Sequence, residues 1–281
     1  MAITTNKHKD NNYILSILIS QDGLSFCTAT AGESKKIIAY EHKKINSSAS
    51  PITVLESLQP EVQKLQQTYQ LSKVIVVYAN TLYTLVPNDF FDENKLSQYL
   101  KFNIKILETD YITYDDIPYL ATKNVFIPLT NINNYLFDTF GSFTFTHSVS
   151  LLVNSVQQQL LETTTQGFIQ VYPTHFDLSI FSDKKLILAN SFSYYTPEDF
   201  IYYLLFSLEQ LNIKPTKIKL YLGGDINIGT ATYNYIETYI KHVYFFTKEE
   251  NINNNLIDNE NILINKDYHT NHLILKSLFC E

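Results

Sequence analysis

The sequence predicts an α/β protein of two lobes, each a mixed sheet laid down in β-β-β-α-β order with flanking helices. Three observations carry this reading. Short apolar or alternating stretches rich in β-branched residues, bounded by Gly, Asp, Asn and Ser, read as strands. Apolar residues spaced by three and four read as amphipathic helices. The same order of elements then recurs about 150 residues later, as a duplicated topology would.

In the first copy, residues 13–20, 24–30 and 35–42 are three strands in succession. Asp22-Gly23 separates the first two and is a strong hairpin signal, because both central positions of a type I′ turn need positive φ. Ala31-Gly32-Glu33-Ser34 supplies the next reversal, and the polar link 46–51 leads to Val54, Leu55, Leu58, Val62, Leu65 and Tyr69, which fall on one helical face. The run 74–78 is nearly all β-branched, as in a strand buried on both faces.

In the second copy, 167–172 and 176–181 are strands, Asp183-Lys184 turns the chain, and 185–192 is a third. Thr196-Pro197-Glu198-Asp199 reads as an N-cap, a first-turn proline and two acids at the positive end of a helix dipole. Phe200, Tyr203, Leu204, Ser207, Leu208 and Leu211 follow on one face, and 217–222 closes the unit before Gly223-Gly224-Asp225. Between the copies, a helix is expected over 92–100, a strand over 124–129, and a helix stopped by Gly141. A strand over 143–147 and a second helix over 149–161, crossing between lobes, complete the connection. After the second copy come a Tyr-rich helix over 231–241, a strand over 243–246, an Asn-rich surface loop over 251–261 and a final strand over 272–279. The expected division is a flexible terminus over 1–12, a first lobe over 13–162 and a second over 163–281.

Composition limits function. With 281 residues and 45% hydrophobic content the chain can bury a large core, and no apolar run approaches the roughly 18 residues of a membrane span. Lys7 and Lys9 before 13–20 imitate a secretion signal, but the apolar part is short and Gln21-Asp22 follows it. The 21 basic residues are all Lys and the net charge is −7, so a phosphate backbone is repelled and nucleic acid is not an expected partner. Without Arg there is no arginine finger or bidentate clamp. Cys27 and Cys280 form neither a disulfide framework nor a thiolate cluster, which fits a cytoplasmic location.

Three antiparallel strands, a helix and a parallel strand, made twice, resemble the actin, Hsp70 and sugar-kinase superfamily, whose lobes are ribonuclease-H-like. The stretch Val125-Phe126-Ile127-Pro128, a helix, then Gly141-Ser142-Phe143-Thr144-Phe145-Thr146-His147 is similar to pilus-assembly and secretion-platform members related to PilM and GspL. The chain is also similar to an uncharacterised bacterial family of degenerate relatives. The resemblance covers residues 13 to 279 and rests on element order more than on specific motifs.

The resemblance implies a nucleotide site built from two phosphate loops and an adenosine motif. The first loop in such proteins is Asp-x-Gly; here Ser20-Gln21-Asp22-Gly23-Leu24-Ser25 keeps Gly23, places Gln21 where the acid would stand and displaces Asp22 by one residue, so it also reads as a plain hairpin. In the second, Tyr172 replaces the acid, Pro173 removes an amide donor and no glycine is present, although Asp177-Leu178 begins a matching strand half. Leu222-Gly223-Gly224-Asp225 resembles the adenosine motif and is equally a turn after a strand. The candidate nucleotide contacts are therefore Asp22, Gly23, Gly223, Gly224 and Asp225.

Other chemistry is less legible. Neither 13–20 nor 167–172 contains the Asp or Glu that a two-metal nuclease needs. His269 and His272 with Asp267 have loose zinc-ligand spacing and read more simply as solvated polar residues. His147 and His175 have no partnered nucleophile. No catalytic residue, metal or bound cofactor is expected. The expected function is a non-catalytic actin-like-fold binding or scaffold protein that self-associates or holds a protein partner; the alternative is an ATP-binding ATPase, with magnesium, on atypical loops. Tyr194, Tyr195, Tyr202, Tyr203, Tyr233, Tyr235 and Tyr239 suit either packing or an interface. Tyr235 is turned about 160° from Tyr233, so one side of that helix should face solvent.

Overall fold

The computed structural model describes residues 12–32, 35–46, 50–161, 164–247 and 268–279. A hairpin joins β1 (Asn12–Ser20) to β2 (Gly23–Thr30) as expected, but its loop is Gln21-Asp22 and neither Asp22 nor Gly23 has the positive φ of a type I′ turn; β3 (Ile37–Lys44) adds antiparallel to β2. Helix α1 (Pro51–Thr68) starts on the Ser50 cap with Pro51 in its first turn and buries Val54, Leu58, Val62 and Leu65. It returns the chain to β4 (Gln70–Ala79), parallel to β1.

The second half repeats this. β9 (Thr165–Val171), β10 (His175–Ser182) and β11 (Lys185–Ser193) are antiparallel neighbours. Helix α5 (Pro197–Gln210) opens on a full capping box between Thr196 and Asp199, and β12 (Lys219–Gly224) lies parallel to β9. Each sheet gains a fifth, parallel strand: β8 (Thr144–His147) on β4, and β13 (His242–Phe245) on β12 after helix α6 (Ala231–Tyr239). The sheet orders, β3-β2-β1-β4-β8 and β11-β10-β9-β12-β13, are one topology used twice.

Three expectations are corrected. Between the copies lies a third antiparallel sheet, with β5 (Tyr83–Pro87) and β6 (Thr113–Ile117) on either side of β7 (Thr122–Phe126). The helix expected over 92–100 is a 3₁₀ turn followed by the five-residue α2 (Leu96–Leu100). The strand expected over 272–279 is a helix, α7 (Tyr268–Ser277), because its apolar residues are buried between two sheets rather than alternating across one. Helix α3 (Thr130–Phe140) ends at Gly141 as read, and α4 (Ser148–Val156) passes into a 3₁₀ turn. The loop over 251–261, the boundary at 162–163, Cys280 and the terminus before Asn12 lie outside the described residues.

The core lies on both faces of each sheet. The outer faces pack under α1 and α3 in one lobe and under α5 and α6 in the other. The inner faces share a single cluster: Ile14, Leu18, Ile75 and Val77 from the first sheet and Phe168 and Phe181 from the second. Leu152 and Val153 of α4 and Leu273, Ile274 and Leu275 of α7 fill the space between them. Apolar side chains fill the centre of the interlobe space, with α7 wedged against α4, β1, β2, β4 and β12.

Candidate functional site

The β1–β2 hairpin points across the lobes at the β9–β10 turn. The backbone of that turn is closed by Tyr172 N–H donating to His175 O at 2.9 Å, and the two rings stack at 4.4 Å. Asp22 is 4% exposed. Its Oδ1 accepts from Ser20 Oγ at 2.6 Å, and its Oδ2 accepts from Thr174 N at 3.1 Å and Thr174 Oγ1 at 2.9 Å. Asp22 thus clasps the β1–β2 turn to the β9–β10 turn through charge-assisted hydrogen bonds. Asp22→Ala leaves Thr174 N–H and Oγ1 without their acceptor, while Ser20 Oγ keeps Gly23 O at 3.0 Å, and should cost about 2–3 kcal/mol in urea denaturation; a loss under about 0.5 kcal/mol would mean the clasp contributes nothing to stability.

The clasp separates two cavities. One, about 350 Å³, is lined by Asp22 and Gly23, by Tyr40, His42 and Lys44 of β3, by Gly224 and Asp225, and by Thr270, Asn271, Leu273 and Ile274 of α7. The other, about 540 Å³, takes Ser20, Gln21, Thr174 and His175. Four of the five candidate residues therefore meet at the first cavity, and Gly223 is not among its walls. His42 Nδ1 lies 2.9 Å from Ser25 Oγ; burial and Lys44 lower the His42 pKa, while Asp225 and Asp22 raise it.

The glycine pair is explained by the chain's own packing. A Cβ on Gly223 would stand 2.6 Å from Phe246 Cδ2, and one on Gly224, at φ +85°, would stand 2.0 Å from Val171 O. Phe246 in turn stacks on Phe168 and on His272. Asp225 N–H donates to Val171 O at 2.9 Å, and its side chain is exposed at the rim.

A second interlobe bond was not legible in the sequence. Asp177, fully buried on β10, accepts from Ser148 Oγ at 3.0 Å and from Ser191 Oγ, and Tyr83 of the third sheet lies 3.2 Å from the same Ser191 hydroxyl. Burial raises the Asp177 pKa, an effect opposed by His175 and the two serines. The one available signal was an acid inside an otherwise apolar strand.

The histidines diverge. His147 is buried with both nitrogens used: Nε2–H donates to Asn80 O at 3.0 Å and Nδ1 accepts from Val149 N at 3.2 Å. His269 Nε2 reaches Ile226 O at 2.9 Å, whereas His272 is buried against Phe246. The HxxH spacing thus sits on a helix and gathers no shared ligand site, and among the described residues no group of three or more His, Cys, Asp or Glu side chains could hold a metal ion. Cys27 is buried and its thiol is pushed up to about 12 by desolvation, leaving it inert. Among the described residues no helix is long and apolar enough to cross a membrane.

Comparison with solved structures places this geometry. A Bacteroides thetaiotaomicron protein with actin-like ATPase fold and unknown function aligns over 100% of both chains at TM-score 0.77 and 21% identity. A chain of the PilM-PilN type IV pilus biogenesis complex aligns over 95% of this chain and 98% of its own at TM-score 0.63 and 10% identity. Both likenesses show the fold, which is the two-lobed actin-like ATPase fold. No curated protein matches the chain. A family model described as protein of unknown function, DUF3822, matches residues 3–243, more than half of the chain, and the chain belongs to that family.

Proposed function

We propose that this protein is a non-catalytic member of the actin-like fold, a cytoplasmic binding or scaffold protein whose nucleotide site has degenerated. The observation that carries this reading is the Asp22 carboxylate on Thr174 N–H and Oγ1. A fixed negative charge holds the donors that an anionic phosphate would need, and at a few ångströms like charges repel strongly in a poorly solvated site. Pro173 offers no amide, Gln21 and Tyr172 cannot hold magnesium as carboxylates would, and no guanidinium exists in the chain to compensate. Filling of the interlobe space by α4 and α7 supports a fixed rather than a hinging pair of lobes. The PilM-PilN complex shows one protein of this fold assembled with a protein partner, which supports a binding role.

A second reading, an ATP-binding ATPase with atypical loops, draws on the cavity of about 350 Å³ where Asp22, Gly23, Gly224 and Asp225 meet. Purified protein with magnesium and ATP distinguishes the two. The expected result is phosphate release no faster than the buffer control and no rise in Tm on adding Mg-ATP. Turnover that disappears on substituting Asp22 or Asp225 would overturn the scaffold reading.

A further inference from the structure

The outer face of the second sheet is covered by α5 and α6. These two helices carry four acids, Glu198, Asp199, Glu209 and Glu237, and no lysine. The nearest lysines in sequence, Lys214, Lys217 and Lys241, follow the helices rather than lie on them.

Glu198, Tyr202 and Phe206 recur every four residues along one solvent-facing stripe of α5. Tyr202 and Phe206 are 60% and 44% exposed, and their rings stack at 5.9 Å and 16°. Beside them the half-buried Tyr203 stacks on Phe192 of β11. Tyr235 OH of α6 donates to Glu198 Oε1 at 2.6 Å, which ties the stripe to the neighbouring helix, where Tyr239 is 49% exposed.

We propose that this α5–α6 face docks a partner protein segment that carries Lys or Arg among apolar residues. Stacked exposed rings give flat apolar area at little entropic cost, and their π faces attract a cation. Glu198, Asp199 and Glu209 of α5 add attraction for the same cations and steer their approach. A second copy of this chain is disfavoured, because a symmetric contact would set the three α5 acids against themselves. Nucleic acid is repelled by the same charges. The proposal rests on the binding-protein reading above, but it uses the face of the sheet turned away from the cleft. The ATP measurement and the one below therefore fail independently.

The test uses the full chain and two synthetic amphipathic helical peptides that share one pattern of Leu and Phe. One carries Arg and Lys at its polar positions and the other Glu, and binding is read by fluorescence polarisation. The basic peptide should bind at least about tenfold more tightly than the acidic one, and added salt should weaken it. Tyr202→Ala with Phe206→Ala should reduce that affinity at least about tenfold while leaving Tm unchanged, since both positions are exposed. Glu209→Gln, which leaves the rings in place, should lessen the salt dependence, and an unchanged salt dependence would overturn the electrostatic part of the proposal. The proposal is overturned if neither peptide binds, if both bind alike, if the ring variant binds as well as wild type, or if sedimentation shows a dimer that the ring variant dissolves.

Discussion

Gly224→Ala is expected to cost at least about 4 kcal/mol and to leave little folded protein. Two effects add at this position. Its φ of +85° is one that L side chains rarely adopt. Its Cβ would also lie 2.0 Å from Val171 O and 2.7 Å from Val171 N, both backbone atoms of a strand end paired with β12. Relief requires β9 to part from β12 where the clasped turn begins. Gly229 separates the two effects, because at φ +86° it has nothing within 4 Å of a built Cβ. Gly229→Ala should therefore cost only about 1 kcal/mol. Urea denaturation of both variants checks this, and equal losses would show that the Val171 backbone yields.

His272→Phe should remove one proton's worth of acid sensitivity. Burial and then Lys276 depress the pKa of His272 to about 3, against about 6.5 in an unfolded chain. The folded state stays neutral while the unfolded state binds a proton. Stability is therefore full above about pH 6.5 and falls as pH drops toward 3, by about 1.4 kcal/mol per pH unit. His147, also depressed to about 3 by burial, adds an equal slope. Asp115 and Asp177 act in the opposite sense: burial raises their folded pKa, so the folded state takes up their protons first and offsets part of the loss. The difference between wild type and variant isolates the one imidazole. Among the described residues neither ring nitrogen of His272 has a hydrogen-bond partner, and its ring stacks on Phe246 at 4.0 Å, so Phe forfeits no polar contact with them. Denaturation curves between pH 7 and 5 should give an average slope shallower by about 1 kcal/mol per unit for the variant, approaching about 1.4 at the acid end; identical slopes would sink the argument.

The elements that a local pattern specifies were legible. The hairpin after β1 was placed correctly, although its loop is Gln21-Asp22 and neither Asp22 nor Gly23 takes the positive φ of a type I′ turn; the β-branched run before Ala79 supplied a strand buried on both sides, and Thr196 to Asp199 announced α5 through a capping box that the structure contains. The α7 helix was misread because an apolar run such as Leu273-Ile274-Leu275 has no period of its own, and only its burial among elements of both lobes separates helix from strand. The third sheet escaped because its strands are five residues each and β6 carries Asp115 and Asp116 in place of an alternating pattern.

At the site the division is sharper. The sequence by itself determined the two lobes of one element order and the absence of guanidinium chemistry, because these are matters of residue type and local order. Tertiary structure alone decided what Asp22 does, since its partner Thr174 is 152 residues away and a hydrogen bond at that separation leaves no local signal. It also decided why Gly223 and Gly224 are glycines: Phe246 and the Val171 carbonyl approach too closely for any Cβ, and close approach between distant segments is a property of packing, not of the segment that must accommodate it.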